Sequence, residues 1–331
     1  MVTGSDSGWR RSLVTAPSRF AEAINETSQP IDALVASTPI DLATLLGLLD
    51  RSKYRPPTLL YMHESQIGYP AGPKGGQAYR AMITDWNSIM SADKVVVATQ
   101  FHADLLLEHM PSFADGLVEG FGTKTRSLLE DLHVVPVGVE TSGLHPKVLS
   151  GPIRVLWNHR WSHDKNPGEF VHAMTILAAE GHQFELYALG EVERSGEKSY
   201  RRLQAQLPER IRVSGTQSKE IYRQALCSSD LVVSTAQHEF FGLAIAEAIA
   251  AGARPVLPNR LAYPEIIPEN LSSQFLYQGS LEEALRSTLT QSRDEIHRYR
   301  YATLEHISRF SWSNVAPKYD LLLDEMLAAT S

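Results

Sequence analysis

Short β-branched runs separated by longer amphipathic stretches recur along almost the whole chain, and few folds accommodate that rhythm. In the first half, IDALVAS (31–37), TLLYMHE (58–64), KVVVATQ (94–100) and LHVVPVG (132–138) read as strands, with helical patterns near 40–49, 77–91 and 101–110 between them. Proline and glycine interrupt the pattern at HPKVLSGP (145–152), after which it resumes with IRVLWNH (153–159), FELYALG (184–190), RIRVSG (210–215), DLVVST (230–235) and ARPVLP (253–258). Helices are expected near 167–180, 194–206, 218–227, 243–251 and 280–290, and two more, at 293–306 and 312–328, close the chain. Strands alternating with helix-length connections specify parallel βα units, hence an α/β protein. A length of 331 residues suits two domains of roughly 150 residues each. The expected division is a first Rossmann-like domain over 1–148, a second over 149–308, and a C-terminal helix at 309–331 returning to the first. Loops at the carboxyl ends of parallel strands build sites, so the cleft expected between the two domains would be lined by YMHESQIGYP, VPVGVE, NHRWSHDK, VSGTQSKE and STAQHEFFG.

Composition removes several classes of function. Thirty-one Lys and Arg against 38 Asp and Glu leave a net charge of −7, so no global basic field attracts nucleic acid and any polyanion site must be local. Cys227, the single cysteine, excludes an internal disulfide and any multi-cysteine metal centre, and suits a reducing compartment. The opening MVTGSDSGWRRSLV lacks the apolar core of a signal peptide, and no apolar run approaches the ~18 residues of a membrane span. The chain reads as a soluble cytoplasmic protein without a membrane partner.

Three of the strand-end loops carry chemistry. In STAQHEFFGLAIAEA, Glu239 precedes a glycine turn and Glu247 lies on the helix beyond it. The amides of Phe240, Phe241 and Gly242 would sit at that helix N-terminus, where phosphate or sugar oxygens are favoured. Glu239 can accept from sugar hydroxyls and Glu247 from a ribose diol; two glutamates so spaced are otherwise ordinary surface carboxylates. VLWNHRWSHDKNPGEF supplies Arg160 and Lys165, a planar fork and a mobile point charge suited to a leaving diphosphate. A single Arg and Lys would usually be a solvated loop, but these follow a strand and are flanked by Trp157 and Trp161. His159 and His163 stand four apart without a third ligand, and no metal is expected. In LLYMHESQIGYP, His63 and Glu64 follow an apolar strand and should reach the rim of the first domain, where an imidazole can meet charge developing at an anomeric carbon.

PAGPKGGQ (70–77) lacks the pattern of a phosphate-binding P-loop, and neither a G-x-S-x-G elbow nor a strand-linked G-x-G-x-x-G fingerprint occurs. Carboxylates for sugars, cations for a diphosphate and helix N-termini together describe a sugar-nucleotide site.

Glu239 with Glu247, Arg160 with Lys165, and VPVGVE resemble the retaining GT-B glycosyltransferases. YMHESQIGYP, WNHRWSHDKNPGEF, STAQHEFFGLAIAEA and the following YPEIIP are similar to the tRNA-queuosine mannosyltransferase family, from about Trp9 to the final helix. Eukaryotic members of that family transfer mannose from GDP-mannose to queuosine in tRNA(Asp). The resemblance implies a GT-B fold in which Arg160 and Lys165 hold the donor diphosphate, Glu247 the ribose, and Glu239 with Phe240, Phe241, Gly242 and Leu243 the donor sugar. It implies guanine against the backbone of Val213, Gly215 and Thr216, and His63 beside the transferred sugar, so that His63, Glu239, Arg160 and Lys165 form the catalytic set. His63, Glu64, Gln66, Tyr69, Arg10 and Arg11 fall on the acceptor side. It further implies metal-free transfer with retention, no cofactor beyond the nucleotide-sugar donor, and queuosine-containing tRNA as partner.

Relatives begin a few dozen residues earlier, with a strand and a Gly-rich, His-bearing turn; MVTGSDSGWRRS aligns downstream of it, so the first domain is expected to lack its first βα unit. Arg10, Arg11, Arg51, Lys53 and Arg55 could give tRNA a local basic patch, although such clusters are commonly solvated surface. Two other functions compete with tRNA mannosylation: transfer from another nucleotide sugar to a small molecule or glycan, and non-catalytic binding of a sugar nucleotide or tRNA.

Overall fold

A computed structural model describes residues 9–50, 55–68, 75–147 and 149–330, with side chains described for 14–50, 55–68, 79–147 and 149–329. The chain divides into two compact units, Met1–Pro136 with Ala316–Ser331, and Val137–Val315.

The first unit carries α1 (Trp9–Glu26), β1 (Leu34–Ser37), α2 (Leu42–Gly47), β2 (Thr58–Met62), α3 (Gly75–Ser91), β3 (Lys94–Val97), α4 (Gln100–Leu117), α5 (Phe121–Glu130) and β4 (His133–Val134). Its strands form one parallel sheet in the order β1-β2-β3-β4. Every residue of β2 is buried, as the unbroken apolar run TLLYM requires of a strand covered on both faces. Asp41 and Thr99 cap α2 and α4 by accepting the backbone N–H of Thr44 and His102. Leu60, Met62, Ile89, Val97, Leu106 and Met110 fill the core.

Two helices here depart from the expected series. Pro17 obscures the pattern of α1, yet Ala16, Phe20 and Ile24 recur at fours and pack against the core. The strand expected at 132–138 shrinks to two residues, and α5 takes the segment before it. The strand expected to run through Glu64 stops at Met62, freeing His63 and Glu64 for the loop.

The second unit carries β5 (Ile153–Trp157), α6 (Pro167–Ala179), β6 (Phe184–Leu189), α7 (Glu197–Gln206), β7 (Ile211–Gly215), α8 (Lys219–Cys227), β8 (Leu231–Val233), α9 (Leu243–Ala250), β9 (Arg254–Pro258), α10 (Ser272–Phe275), β10 (Leu276–Tyr277), α11 (Leu281–Leu289), α12 (Arg293–Ile296) and α13 (Arg300–Ser308). The last helix, α14 (Trp312–Thr330), begins in this unit and ends in the first. All six strands are parallel, in the order β10-β9-β8-β5-β6-β7. Successive strands add on one side from β5 to β7 and on the other from β8 to β10. The order therefore reverses between β5 and β8, and a crevice opens outside the carboxyl ends of strands at such a switch point. The two-residue β10 was too short to show in the sequence pattern, and the helix expected at 293–306 is broken into α12 and α13.

Opposite the crevice, at the amino end of β8, fully buried Asp230 locks α12 to the sheet. It accepts the backbone N–H of Arg154 (2.9 Å), Nε and Nη2 of Arg293 (2.8 and 3.0 Å) and pairs with Nε2 of His297 (2.9 Å). Burial alone would raise this carboxyl, but the His297 and Arg293 hydrogen bonds outweigh it and hold its pKa at about 2.

Candidate functional site

The loops after β5 and β8 meet at the switch point and are stitched together. Thr235 Oγ1 donates to the carbonyls of Lys165 and Asn166 (both 2.9 Å), and Gln237 N–H donates to the carbonyl of Asp164 (2.8 Å). Pro167 opens α6 with Asn166 ahead of it in the left-handed region at φ 50°. The β6–α7 loop closes over this loop by direct backbone contact. A side chain at Gly190 would lie 1.9 Å from the His159 carbonyl oxygen, and one at Gly196 2.0 Å from that of Trp161. Gly190 also has φ +117°, so glycine is required there twice over.

Within this frame stands a compact set of charges. Lys165 Nζ donates to the His238 carbonyl (2.7 Å) and to Glu239 Oε2 (3.2 Å), and lies 3.4 Å from Asp164. Arg160 extends to the surface, pairs with Glu193 at 2.8 Å and lies 4.0 Å from Asp164. Burial pushes the Glu239 and Asp164 carboxyls up, but Lys165 outweighs it together with His159 and the Phe241 amide at Glu239 and with Ser162 and Arg160 at Asp164, and each stays below the ordinary carboxylate range. Desolvation, reinforced by Lys165, lowers His159 to about 4, so this buried imidazole is neutral near pH 7. Its position beside Lys165 and Glu239 makes it part of the electrostatic set, although no ligand role followed from the sequence.

The aromatic residues of these motifs are core. Trp157 and Trp161 are fully buried, and Trp157 stacks on Phe170 at 4.5 Å. They hold the loop from behind rather than presenting a face to a ligand. Phe240 and Phe241 are buried too, the latter edge-on to Phe310 at 5.3 Å. The Phe241 N–H engages the Glu239 carboxylate, which fixes that side chain. Gly242, at φ +90°, turns the chain into α9, leaving Leu243 partly exposed at the first helical position.

Glu247, in the second turn of α9, accepts the hydroxyl of Tyr222 at 2.6 Å. Asn158, at the end of β5, donates to the Ala244 carbonyl (2.7 Å) and reaches the Tyr222 hydroxyl (3.3 Å). Burial raises the Glu247 carboxyl. Neither Tyr222 nor Asn158 stood out in the sequence, because each acts through another residue and belongs to no local motif. At the carboxyl end of β7, Gly215 is buried at φ +76° and Val213 half-buried, with Thr216 exposed just beyond; Tyr200 donates to Ser214 (3.1 Å) and fixes the strand end.

In the first unit, the loop after β2 forms a separate polar group. His63 packs edge-on to Tyr61 at 4.4 Å, and desolvation there lowers its pKa although its outer face is exposed. The Thr38 hydroxyl accepts the His63 N–H (3.0 Å). Glu64 is exposed, and the half-buried Gln66 donates its N–H to Asp85 (3.2 Å). Asp85, on α3, is raised by burial to about 7. Tyr69, Arg51 and Lys53 lie outside the described residues, as do the side chains of Arg10 and Arg11; Arg55 donates to the Ser91 carbonyl (2.7 Å). Among the described residues no cluster of three His, Cys, Asp or Glu could hold a metal, and no helix is long and apolar enough to cross a membrane.

Comparison with known proteins assigns this architecture. Residues 1–139 match the model of the tRNA-queuosine alpha-mannosyltransferase N-terminal region, and residues 146–303 match that of glycosyl transferases group 1. The chain is 29% identical over 327 residues to the tRNA-queuosine alpha-mannosyltransferase of Drosophila melanogaster, covering 94% of this chain and 85% of that protein. It is 23% identical over 194 residues to a GDP-mannose:cellobiosyl-diphosphopolyprenol alpha-mannosyltransferase of Xanthomonas oryzae, covering 57% of this chain and 51% of the relative. Among solved structures, a sucrose-phosphate synthase from Thermosynechococcus elongatus superposes with a TM-score of 0.75 at 15% identity over 99% of this chain and 81% of its own. A glycosyltransferase from Rickettsia africae does so at 0.66 and 18% identity over 99% and 84%. The fold is that of the GT-B glycosyltransferases. With its N-terminal region matching one model, its second unit the other, and the fly enzyme aligned along nearly its whole length, the chain is a glycosyltransferase and belongs to the tRNA-queuosine alpha-mannosyltransferase family.

Proposed function

We propose that this enzyme transfers mannose from GDP-mannose to queuosine in tRNA, with retention of anomeric configuration and without a metal. The observation that carries the transfer chemistry is the charge set at the switch point, where Arg160, Lys165 and Glu239 converge behind a stitched pair of strand-end loops. The acceptor reading rests on the match of residues 1–139 to a tRNA-queuosine mannosyltransferase region.

On this reading Arg160 and Lys165 receive the donor diphosphate. Both cations are already paired, with Asp164, Glu193 and Glu239 around them, so donor phosphates compete with these three carboxylates for Arg160 and Lys165. Glu239, held by Lys165 and the Phe241 amide, accepts from hydroxyls of the donor sugar. Glu247 accepts from the ribose, and the backbone of Val213, Gly215 and Thr216 meets the base. His63, whose pKa desolvation lowers, serves the transferred sugar; Glu64 and Gln66 share its loop and, with Tyr69, Arg10 and Arg11, serve the acceptor. As the bond from the sugar C1 to the phosphate oxygen breaks, the acceptor hydroxyl bonds to C1 on the same face and its proton passes to that phosphate oxygen. The protein then contributes positioning and stabilisation of the leaving diphosphate.

Incubation with GDP-mannose and queuosine-containing tRNA, followed by mass spectrometry of the released nucleosides, tests the proposal. A hexose on queuosine that vanishes in Glu239→Ala is the expected result. GDP-mannose turnover with a different acceptor, or binding of donor without turnover on any acceptor, would overturn it in favour of one of the two competing functions.

A further inference from the structure

We infer that Tyr222 positions Glu247 so that the enzyme discriminates ribonucleoside from 2′-deoxyribonucleoside diphosphates, a specificity device resting on the assignment of Glu247 to the ribose.

Four groups drawn from β5, α8 and α9 make the device. The Asn158 side chain donates from Nδ2 to the Ala244 carbonyl at 2.7 Å, and since a carbonyl can only accept, the orientation of the amide is fixed. The same Nδ2 faces the Tyr222 hydroxyl at 3.3 Å, so that oxygen is met by a donor and its own proton must point elsewhere. It goes to Glu247 Oε2 at 2.6 Å, a short charge-assisted bond in a partly buried setting. Tyr222 is thus committed as a donor, and one oxygen of Glu247 is tied while Oε1 receives no hydrogen bond from the described protein residues.

A glutamate has three rotatable side-chain bonds, and an untethered carboxylate could swing to meet a lone 3′-hydroxyl as readily as a diol. Pinned at Oε2, its plane is set before any ligand arrives, which rewards the two-point contact of a 2′,3′-diol and penalises its loss. Glu247 also lacks a contacting cation: burial dominates its environment, with Arg223 and Lys219 acting only at a distance. Hydrogen-bond donors therefore have to stabilise the carboxylate, the protein supplying one and the ligand the remainder. Because Asn158 lies two residues before Arg160, the same strand end that delivers the expected diphosphate cation also sets the ribose carboxylate.

Calorimetric titration of the whole enzyme with GDP and with 2′-deoxy-GDP tests the inference. Wild type should prefer GDP by about tenfold or more, the scale of one hydrogen bond to a charged acceptor. Tyr222→Phe, which removes only the hydroxyl, should weaken GDP several-fold and leave 2′-deoxy-GDP nearly unchanged, collapsing the preference. If Tyr222→Phe weakens both ligands equally, or neither, Tyr222 is a packing residue and the inference falls. Glu247→Ala separates the two layers. Should wild type show no preference and Glu247→Ala bind GDP normally, the ribose assignment itself is wrong. Should Glu247→Ala abolish a preference that Tyr222→Phe retains, the assignment stands and only the role of Tyr222 is lost. Asn158→Ala, which frees the tyrosine proton, should reduce the preference partially and provides the reading if Tyr222→Phe does not fold.

Discussion

Replacing Asp230 with asparagine removes one charge and almost no volume, so its effect can be worked out from the surroundings. The carboxyl is fully buried, bridges Arg293, His297 and the Arg154 amide, and is held at about 2 against an ordinary 3.8. At about 1.4 kcal/mol per pH unit, that preference for the ionised form is worth roughly 2–3 kcal/mol. Asparagine also turns an amide N–H₂ towards donors, leaving one of them unmet, and a broken buried pair reaches ~3–5 kcal/mol. For a unit of this size each kcal/mol moves the melting midpoint by about 2–4 °C, so Asp230→Asn should lower the transition of the second unit by about 5–12 °C at pH 7. The sign with pH follows from the depressed value: the stabilisation is fully present above 3.8 and is lost as pH falls towards 2. Scanning calorimetry of both proteins between pH 8 and pH 3.5 should show a constant gap down to about pH 5 that narrows below it. A midpoint shifted by less than about 2 °C at pH 7, or a gap that widens on acidification, refutes the reasoning.

Lys165→Met removes the cation that neighbours Glu239 and Asp164, and single-turnover transfer should fall by about 10²–10³; a rate within twofold of wild type would exclude Lys165 from leaving-group stabilisation. Asp85→Asn should leave the midpoint near wild type at or below about pH 4 and raise it at pH 8. Burial lifts the folded-state carboxyl to about 7, so wild type loses stability as pH climbs from about 4 to 7, and the amide does not. A variant less stable than wild type at pH 8 would contradict that sign. Gly190→Ala should abolish GDP binding in calorimetry, because the added methyl would meet the His159 carbonyl at 1.9 Å and force the two loops apart; normal GDP affinity would show that the loop after β5 tolerates the displacement.

The strands were legible wherever burial on both faces leaves an unbroken apolar run, as in LLYM and LVV, and their loops followed because parallel strands place them at one end. Two kinds of information were absent. Helix α1 reads poorly because Pro17 interrupts a stripe that its small Ala16 and Ala21 mark only faintly, and tertiary packing supplies what local pattern withholds. At the site, residue types that bear chemistry were visible in their loops, whereas their partners were not. Glu193 across from Arg160 and Tyr222 on Glu247 are juxtaposed only by the fold, and nothing local in their segments announces it. Trp157 and Trp161, which flank the cations in sequence, are fully buried, a fact that their neighbours in the chain do not announce.

The division of the chain also sets an order of events during synthesis. The second unit is one uninterrupted stretch, Val137–Val315, whereas the first is completed only by Ala316–Ser331, with Tyr319 reaching the Val135 carbonyl and the ring of Tyr61. A nascent chain leaving the ribosome thus has every residue of the second unit in hand before the unit that begins first can be finished. Until residues 316–331 are translated, the sheet of the first unit lacks the contacts that Tyr319 makes with Tyr61 and Val135, so a break in the chain before Ala316 would leave the second unit whole and the first without its closing segment.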